Sequence, residues 1–402
     1  MQLIQKTYVL VIESLGVGEA PDAMIYGDKN ASTLAHVAEF SSGLKLPMLE
    51  RFGLGNITYV KGISRSDESI AYFGKCRQAA DGKDNITGHW EITGFIYPSL
   101  FHTDPAGFFP QFVDKLEREI GKKCIINLDY KVTQIMERYY YDHITEKSFI
   151  VFYNKNDMTL NIAANPDIAS AEEMKKIVQI THDLGDYYGF IRTQGFHIKL
   201  DKNNHLDKKI VHKISRKPNQ MTILGSCKRA GIPVQFIGMK QNIFLDSEIS
   251  NTLITESDEQ SMEKLIEIGS MDEYSNDHGQ ALFYMVFSEI NADAGKSKNI
   301  KAYANALQNI DQFLQKLIRV MNSSDILIIT SSNGNDPTFE ESIHTREYLP
   351  VIAFSRVLGV RSSGNLGVRR TLTDIAETIS DIYDLETHYG GDSFWKFMLS
   401  QI

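Results

Sequence analysis

Cysteine is scarce in this chain: Cys76, Cys124 and Cys227 stand far apart among 402 residues. They form no CxxC pair, which excludes a disulfide framework or a thiolate zinc site as the organising principle. Buried, inert thiols in a reducing compartment are the expectation. An excess of positive charge is missing as well. The 42 Lys and Arg residues are outnumbered by 51 Asp and Glu, giving a net charge of -9. That balance excludes a general nucleic-acid binder, which needs a basic face. The short basic clusters Lys208-Lys209 and Arg216-Lys217 read as solvated surface. No apolar run approaches the roughly 20 residues of a membrane span. The first apolar run follows the N-terminus with no signal-peptide pattern, so a cytoplasmic protein without membrane partners is expected. Internal repeats and low-complexity tracts are absent too.

What is present is an ordinary globular composition, 42% hydrophobic and 23% charged. The length suffices for two domains. Thr7–Ile12 (TYVLVI) is a continuous apolar run, the pattern of a strand buried on both faces. It ends at Glu13, followed by Gly16 and Gly18, which read as turn glycines. Ser32–Phe40 reads as a helix with Ser32 as its cap. Asp81–Gly94 (DGKDNITGHWEITG) reads as a polar loop leading toward a helix.

Strand–helix alternation is clearest in the second half. Gln235–Gly238, Leu282–Phe287 and Ile326–Thr330 are strand-like, and Asp258–Ile268, Ser297–Met321 and Thr371–Tyr383 are helical in period. This predicts an α/β fold, a mostly parallel sheet with helices on both faces. Between them, residues 98–218 change character. Their apolar runs at Cys124–Asn127 and Phe149–Tyr153, a helix at Ala171–Leu184 and a strand or hairpin at Lys209–Ile214 point to an inserted α+β domain. The core domain is then 1–97 with 219–402. In the insert, Tyr139-Tyr140-Tyr141 is open to two readings, a partner surface or a half-exposed core.

The chemistry is expected after Ile326–Thr330, since loops at the carboxyl ends of parallel strands carry α/β active sites. The stretch Asp325–Ala353 (DILIITSSNGNDPTFEESIHTREYLPVIA) supplies such a loop, with His344 in it.

Five segments, VIESLGVGEAPDA, ASTLAHVAE, LPMLERFGLGN, DGKDNITGHWEITG and NDPTFEESIHTREYLPV, together resemble the phosphopentomutases of the alkaline phosphatase superfamily. GHWE and HTRE, with DPT upstream, are the most specific. The resemblance spans nearly the whole chain and implies an alkaline phosphatase-like core with the family's cap domain inserted. It also implies interconversion of ribose 1-phosphate and ribose 5-phosphate through a phosphothreonine beside two manganese ions, which polarise the phosphoryl group.

Carried over residue by residue, that equipment is largely missing. The family's first-strand aspartate is Glu13, and its nucleophilic threonine falls on Asn85, an amide with no hydroxyl to phosphorylate. Two further ligand positions fall on Asn291 and Lys296, and the consecutive Asp-His falls on Ser332-Asn333. Of the former ligand positions, only His344 keeps its residue type. Divalent ions want carboxylate oxygens and imidazole nitrogens. An ammonium group such as Lys296 opposes them by several kcal/mol at about 4 Å. Lys296 is instead expected to pair with Glu13. In the cap, Asp157 matches the sugar-binding aspartate, but Lys155, Gln194 and Val211 stand where a serine and two arginines are expected. Met239 replaces a lysine that the adjacent Lys240 could supply, so Asp157 and Lys240 are the possible residual ligand contacts.

The resulting expectation is a pseudoenzyme, a mutase scaffold kept for binding, assembly or regulation. It would have no metal, no catalytic residue, and an unknown protein partner or a second copy. One alternative is an active phosphopentomutase or related phosphosugar enzyme with a rebuilt site, manganese-dependent or using Lys296 and Lys83 for phosphoryl charge. Thr87, two places after Asn85, is the displaced nucleophile such a site could offer, but it aligns better with the family's serine, and no residue replaces the threonine. The other alternative is a non-catalytic phosphosugar or nucleotide sensor. His89 reads as a structural histidine tying a helix start to its neighbours.

Overall fold

A computed structural model describes residues 4–98, 110–127, 132–154, 158–239, 243–290, 299–339, 344–359 and 363–401. The chain divides into two compact units, Met1–Tyr97 with Pro218–Ile402, and Pro98–Lys217.

All seven residues of β1 (Lys6–Ile12) are buried, as its unbroken apolar run requires. It pairs in parallel with β11 (Ile326–Thr330) on one side and β10 (Ala281–Phe287) on the other. Beyond β10 lie β8 (Val234–Gly238) and β9 (Asn251–Ile254), also parallel. Beyond β11 come β12 (Leu349–Ser355), β2 (Tyr72–Cys76) and β13 (Gly364–Arg369). β12 is antiparallel to both neighbours, and β13 is parallel to β2. Seven strands of this sheet therefore share one direction, and β12 opposes them. The α/β fold with a mostly parallel sheet stands.

Helices cover both faces. α1 (Thr33–Phe40), α2 (Pro47–Arg51), α9 (Asp258–Gly269) and α10 (Ile300–Val320) bury residues against Tyr8, Leu10 and Ile12 of β1. α10 is held by Tyr303, Leu307, Ile310, Leu314 and Leu317, three and four apart on one stripe. Asp311, on the same buried stripe, accepts from the Met48 and Leu49 amides at 3.0 and 2.8 Å and so fastens the start of α2. On the other face α4 (Asn85–Ile92) meets the alternate side chain Tyr284 of β10. α11 (Thr373–Tyr383) packs against both α4 and α8 (Ile223–Arg229).

The second unit has its own sheet in the order β3 (Cys124–Asn127), β4 (Phe149–Asn154), β5 (Thr159–Ala164), β6 (Arg192–Leu200) and β7 (Leu206–Ser215). Phe112 and Leu116 of α5 (Pro110–Ile120) and Met174 and Val178 of α7 (Ala171–Gly185) fill one face. Ile135, Met136 and Tyr140 of α6 (Val132–Glu146) fill the other. The three tyrosines split: Tyr140 is buried, Tyr139 packs against the core, and Tyr141 is exposed.

Two local expectations need correction. The Ser32 side chain makes no cap bond to α1. Carboxylates from a distant loop do that work, Asp336 on the Ser32 amide (2.7 Å) and Glu347 on the Thr33 amide (2.9 Å). Gly16 is not at positive φ, unlike Gly18 (φ 115°). A Cβ at Gly16 would lie 2.2 Å from the Glu347 carboxylate, so close approach rather than turn geometry demands glycine there.

Candidate functional site

Glu13 follows the last residue of β1 and is buried. Its Oε1 sits 3.0 Å from Asn85 Nδ2 and 3.0 Å from His89 Nε2. His89 Nδ1 lies 2.9 Å from the Tyr284 hydroxyl. Burial, and then the Glu13 charge, push the Tyr284 phenol far up, so it stays a neutral donor. An accepting Nδ1 fixes the proton on Nε2, and that proton points at Glu13. Asn85 and His89 are the first and fifth residues of α4, one turn apart on one face, so both reach the same oxygen. Asp84 caps this helix, accepting from the Ile86 amide at 2.7 Å. His89 thus ties α4 to the end of β1 and to the middle of β10.

The loop after β11 closes against the same helix. Ser332 and Asn333 are buried, and Ser332 Oγ donates to Asn333 Oδ1 at 2.8 Å. Asn333 Nδ2 donates to the Gly334 carbonyl (3.0 Å) and reaches Ser14 Oγ at 3.4 Å. Ser14 is at φ 68°, a strained conformation for a non-glycine residue. It is pinned by the Tyr303 hydroxyl on its carbonyl and by Leu15, whose amide donates to Ser331 Oγ at 3.0 Å. A Cβ at Gly88 of α4 would lie 1.9 Å from the Ser332 carbonyl oxygen, so helix and loop touch backbone to backbone. His344 lies half-buried at the far end of this loop.

Around these positions is a shell of buried charge that the residue pattern did not disclose. Arg346 donates to the carbonyls of Ala80 (2.8 Å), Gly82 (2.6 Å) and Gln78 (2.7 Å) and pairs with Asp22 at 2.9 Å. The guanidinium therefore shapes the loop that leads into Asn85. Lys83 is buried and bonds Asp28 at 2.7 Å, and Asp28 also accepts from the Arg346 amide at 2.8 Å. Lys83 is structural and is not presented to a phosphoryl group, which corrects that expectation. Thr87 is likewise enclosed: its hydroxyl donates to the Asp84 carbonyl and accepts from Gln78, both at 3.0 Å. Glu91 of GHWE accepts from the amides of Ala79, Ala80 and Leu372 and from the Thr371 hydroxyl, all within 3.0 Å. Glu347 of HTRE accepts from Gly18 and Thr33 amides and from the Thr33 and Thr345 hydroxyls. Burial outweighs these donors and pushes its carboxyl up to about 7.

The comparison that decides the family is with whole chains. The phosphopentomutase of Caldanaerobacter subterraneus subsp. tengcongensis is 31% identical over 403 residues, 98% of both chains. This chain belongs to the phosphopentomutase family. The phosphopentomutase of Alkaliphilus oremlandii matches as well, at 31% over 401 residues and 98% of each chain. The model of the metalloenzyme superfamily matches residues 5–387. The solved phosphoglycerate mutase of Leishmania mexicana aligns with 97% of each chain at a TM-score of 0.49 and 9% identity.

Of the positions singled out in the sequence, the structure brings Glu13 and Asn85 into contact and sets Ser332-Asn333 against the same helix. Asn291, Lys296, Asp157 and Lys240, together with Lys155, lie outside the described residues. Gln194 lies on β6, Val211 is half-buried against the core of the second unit, and Met239 follows β8 half-buried. The partners missed at the sequence level are Tyr284, Asp28, Glu91, Arg346 and Glu347. Three of them sit inside GHWE and HTRE, so the motifs were visible while their structural task was not. No helix among the described residues is long and apolar enough to cross a membrane.

Proposed function

We propose that this phosphopentomutase-family chain no longer carries out metal-dependent phosphoryl transfer and serves as a binding or assembly component. The observation that carries the reading is the contact between Asn85 Nδ2 and Glu13 Oε1 at 3.0 Å. An amide occupies the nucleophile position and donates to the one carboxylate left from the ligand positions. His89 Nε2 fills a second site on the same oxygen. Both donors thus engage the oxygen that a metal ion would otherwise take.

The donor set does not suit a pair of divalent ions. Ser332 and Asn333 are neutral and bonded to one another. Among the described residues, no group of three His, Cys, Asp or Glu side chains could hold a metal. Lys296, at a former ligand position, adds positive charge to the set. We assign it the lost metal's charge, paired with Glu13. Lys296→Ala then lowers thermal stability, whereas a surface lysine would tolerate the change within about 0.5 kcal/mol.

The rival is an active mutase with a rebuilt site, favoured by 31% identity over the whole length to phosphopentomutases. One preparation separates the two. Protein purified with manganese present is analysed for metal content and assayed for ribose 1-phosphate to ribose 5-phosphate conversion. Two metals per chain with turnover would overturn the reading. Stoichiometric binding of ribose 5-phosphate without metal or turnover would instead make the chain a phosphosugar sensor.

A further inference from the structure

Away from the site, α9 and α10 part to leave a groove of about 570 Å³. Its floor is apolar, built from Met262, Ile266 and Phe313. Its rim carries the carboxylates Glu259, Glu263 and Glu289, with Lys316 as the cation on the opposite wall. Glu259 and Glu263 are exposed, and one turn of α9 separates them, so their charges add on one side of the opening.

The same chain carries the complementary surface. The hairpin of β6 and β7 turns at Asp201–His205, closed by the Asp201 amide on the His205 carbonyl at 2.8 Å. The stretch from Lys199 to Lys217 holds seven lysines and arginines against two aspartates, in a chain whose net charge is -9. Lys202, Lys208 and Lys209 are exposed near the turn. Ile210, on the same edge strand and on the same face as Lys208, is 50% exposed. An exposed apolar residue on a lysine-rich hairpin matches an apolar floor with a glutamate-rich rim.

We propose that the α9–α10 groove receives the β6–β7 hairpin of a second copy of this chain. Ile210 covers the floor, and the hairpin lysines meet the glutamate rim. The contact is heterologous, groove to hairpin, so it builds closed rings or open chains of subunits according to the rotation it imposes. It is small and electrostatic, and therefore weak and sensitive to salt. It stands independently of whether the protein turns over substrate.

The test is charge reversal on the full-length protein, read by sedimentation velocity at low ionic strength. Wild type is expected to self-associate, and about 0.5 M salt is expected to return it to monomer. Glu259→Lys with Glu263→Lys, or Lys202→Glu with Lys208→Glu, each weakens association tenfold or more. A one-to-one mixture of the two variants associates again, because each reversed surface then meets its complement. Asp67→Lys with Glu68→Lys, exposed and remote in sequence, leaves association unchanged. Circular dichroism checks that each variant is folded. A wild type that stays monomeric at about 100 µM in low salt overturns the proposal. So does a mixture that fails to recover, or self-association that ignores both reversals. A groove that binds spermidine while the chain remains monomeric would assign it to a small amine and overturn the proposal too.

Discussion

Asn85 Nδ2 and His89 Nε2 share a single acceptor, Oε1 of the buried Glu13, each at 3.0 Å. Two residues one helical turn apart thereby bind α4 to the end of β1. The two donors are not equal. Asn85 is partly exposed, whereas His89 is fully buried and also carries the Tyr284 hydroxyl.

Removing them should therefore cost different amounts. Asn85→Ala removes one donor at a site that water can reach and is expected to cost about 1 kcal/mol. His89→Phe leaves the Glu13 oxygen and the Tyr284 hydroxyl each short of a buried partner and is expected to cost about 3 kcal/mol or more. Urea unfolding of the two variants measures both. Equal losses would show that Glu13 does not depend on His89.

Gly88 tests the contact between α4 and the loop after β11. Alanine is the better helix former by about 1 kcal/mol, so propensity alone favours Gly88→Ala. The new Cβ would stand 1.9 Å from the Ser332 carbonyl oxygen, and neither backbone can yield cheaply. The expected outcome is a net loss of about 2 kcal/mol or more in urea unfolding. A stabilised variant would mean that the loop is not seated on the helix.

Stability should also fall as pH rises from about 4 to 8. Burial pushes the carboxyls of Glu347 and Asp258 up to about 7 in the folded chain. When unfolded they ionise near 4. Between those values the folded state holds protons that the unfolded state has released, so each rise in pH favours unfolding. The loss is absent below about pH 4 and complete above about pH 7. Together the two groups should cost on the order of a few kcal/mol. Denaturant midpoints across pH 4–8 measure the slope, and Glu347→Gln or Asp258→Asn should each flatten it. A slope that both substitutions leave intact would place the titration elsewhere.

Legibility followed the kind of signal involved. β1, β11 and α10 could be read because apolar periodicity is a local property, and Ile326–Thr330 has the expected bounds. β2 (YFGKC) escaped notice because a glycine and a lysine interrupt its apolar residues. Its glycine admits the close approach of β13, with Gly367 O 2.7 Å from where a Cβ would stand. The reversal of β12 left no local trace, since pairing direction is set by neighbours distant in sequence. At the candidate site, residue identity singled out Asn85, Ser332 and Asn333. It could not show that Arg346, Glu347 and Glu91 are buried braces, because a charged residue reads the same in a sequence whether it faces water or ties segments together.

Under the proposed loss of phosphoryl transfer, partial restoration of the ligand positions offers a last test. Ser332→Asp with Asn333→His returns the family's consecutive Asp-His pair to a buried loop. Without metal, the new carboxylate is buried in place of a hydroxyl that donates to Asn333 at 2.8 Å. The double variant should therefore lose about 2–4 kcal/mol. Manganese can recover that loss only if it binds the folded form, by an amount that grows with its concentration over the dissociation constant. Adding Asn85→Thr and Lys296→His restores a hydroxyl and removes the opposing charge. The expected order of manganese-induced rise in melting temperature is wild type least, the double variant next and the fourfold variant most. A wild type that responds as strongly as the fourfold variant would show that its own residues still hold metal, and the mutase reading would take over.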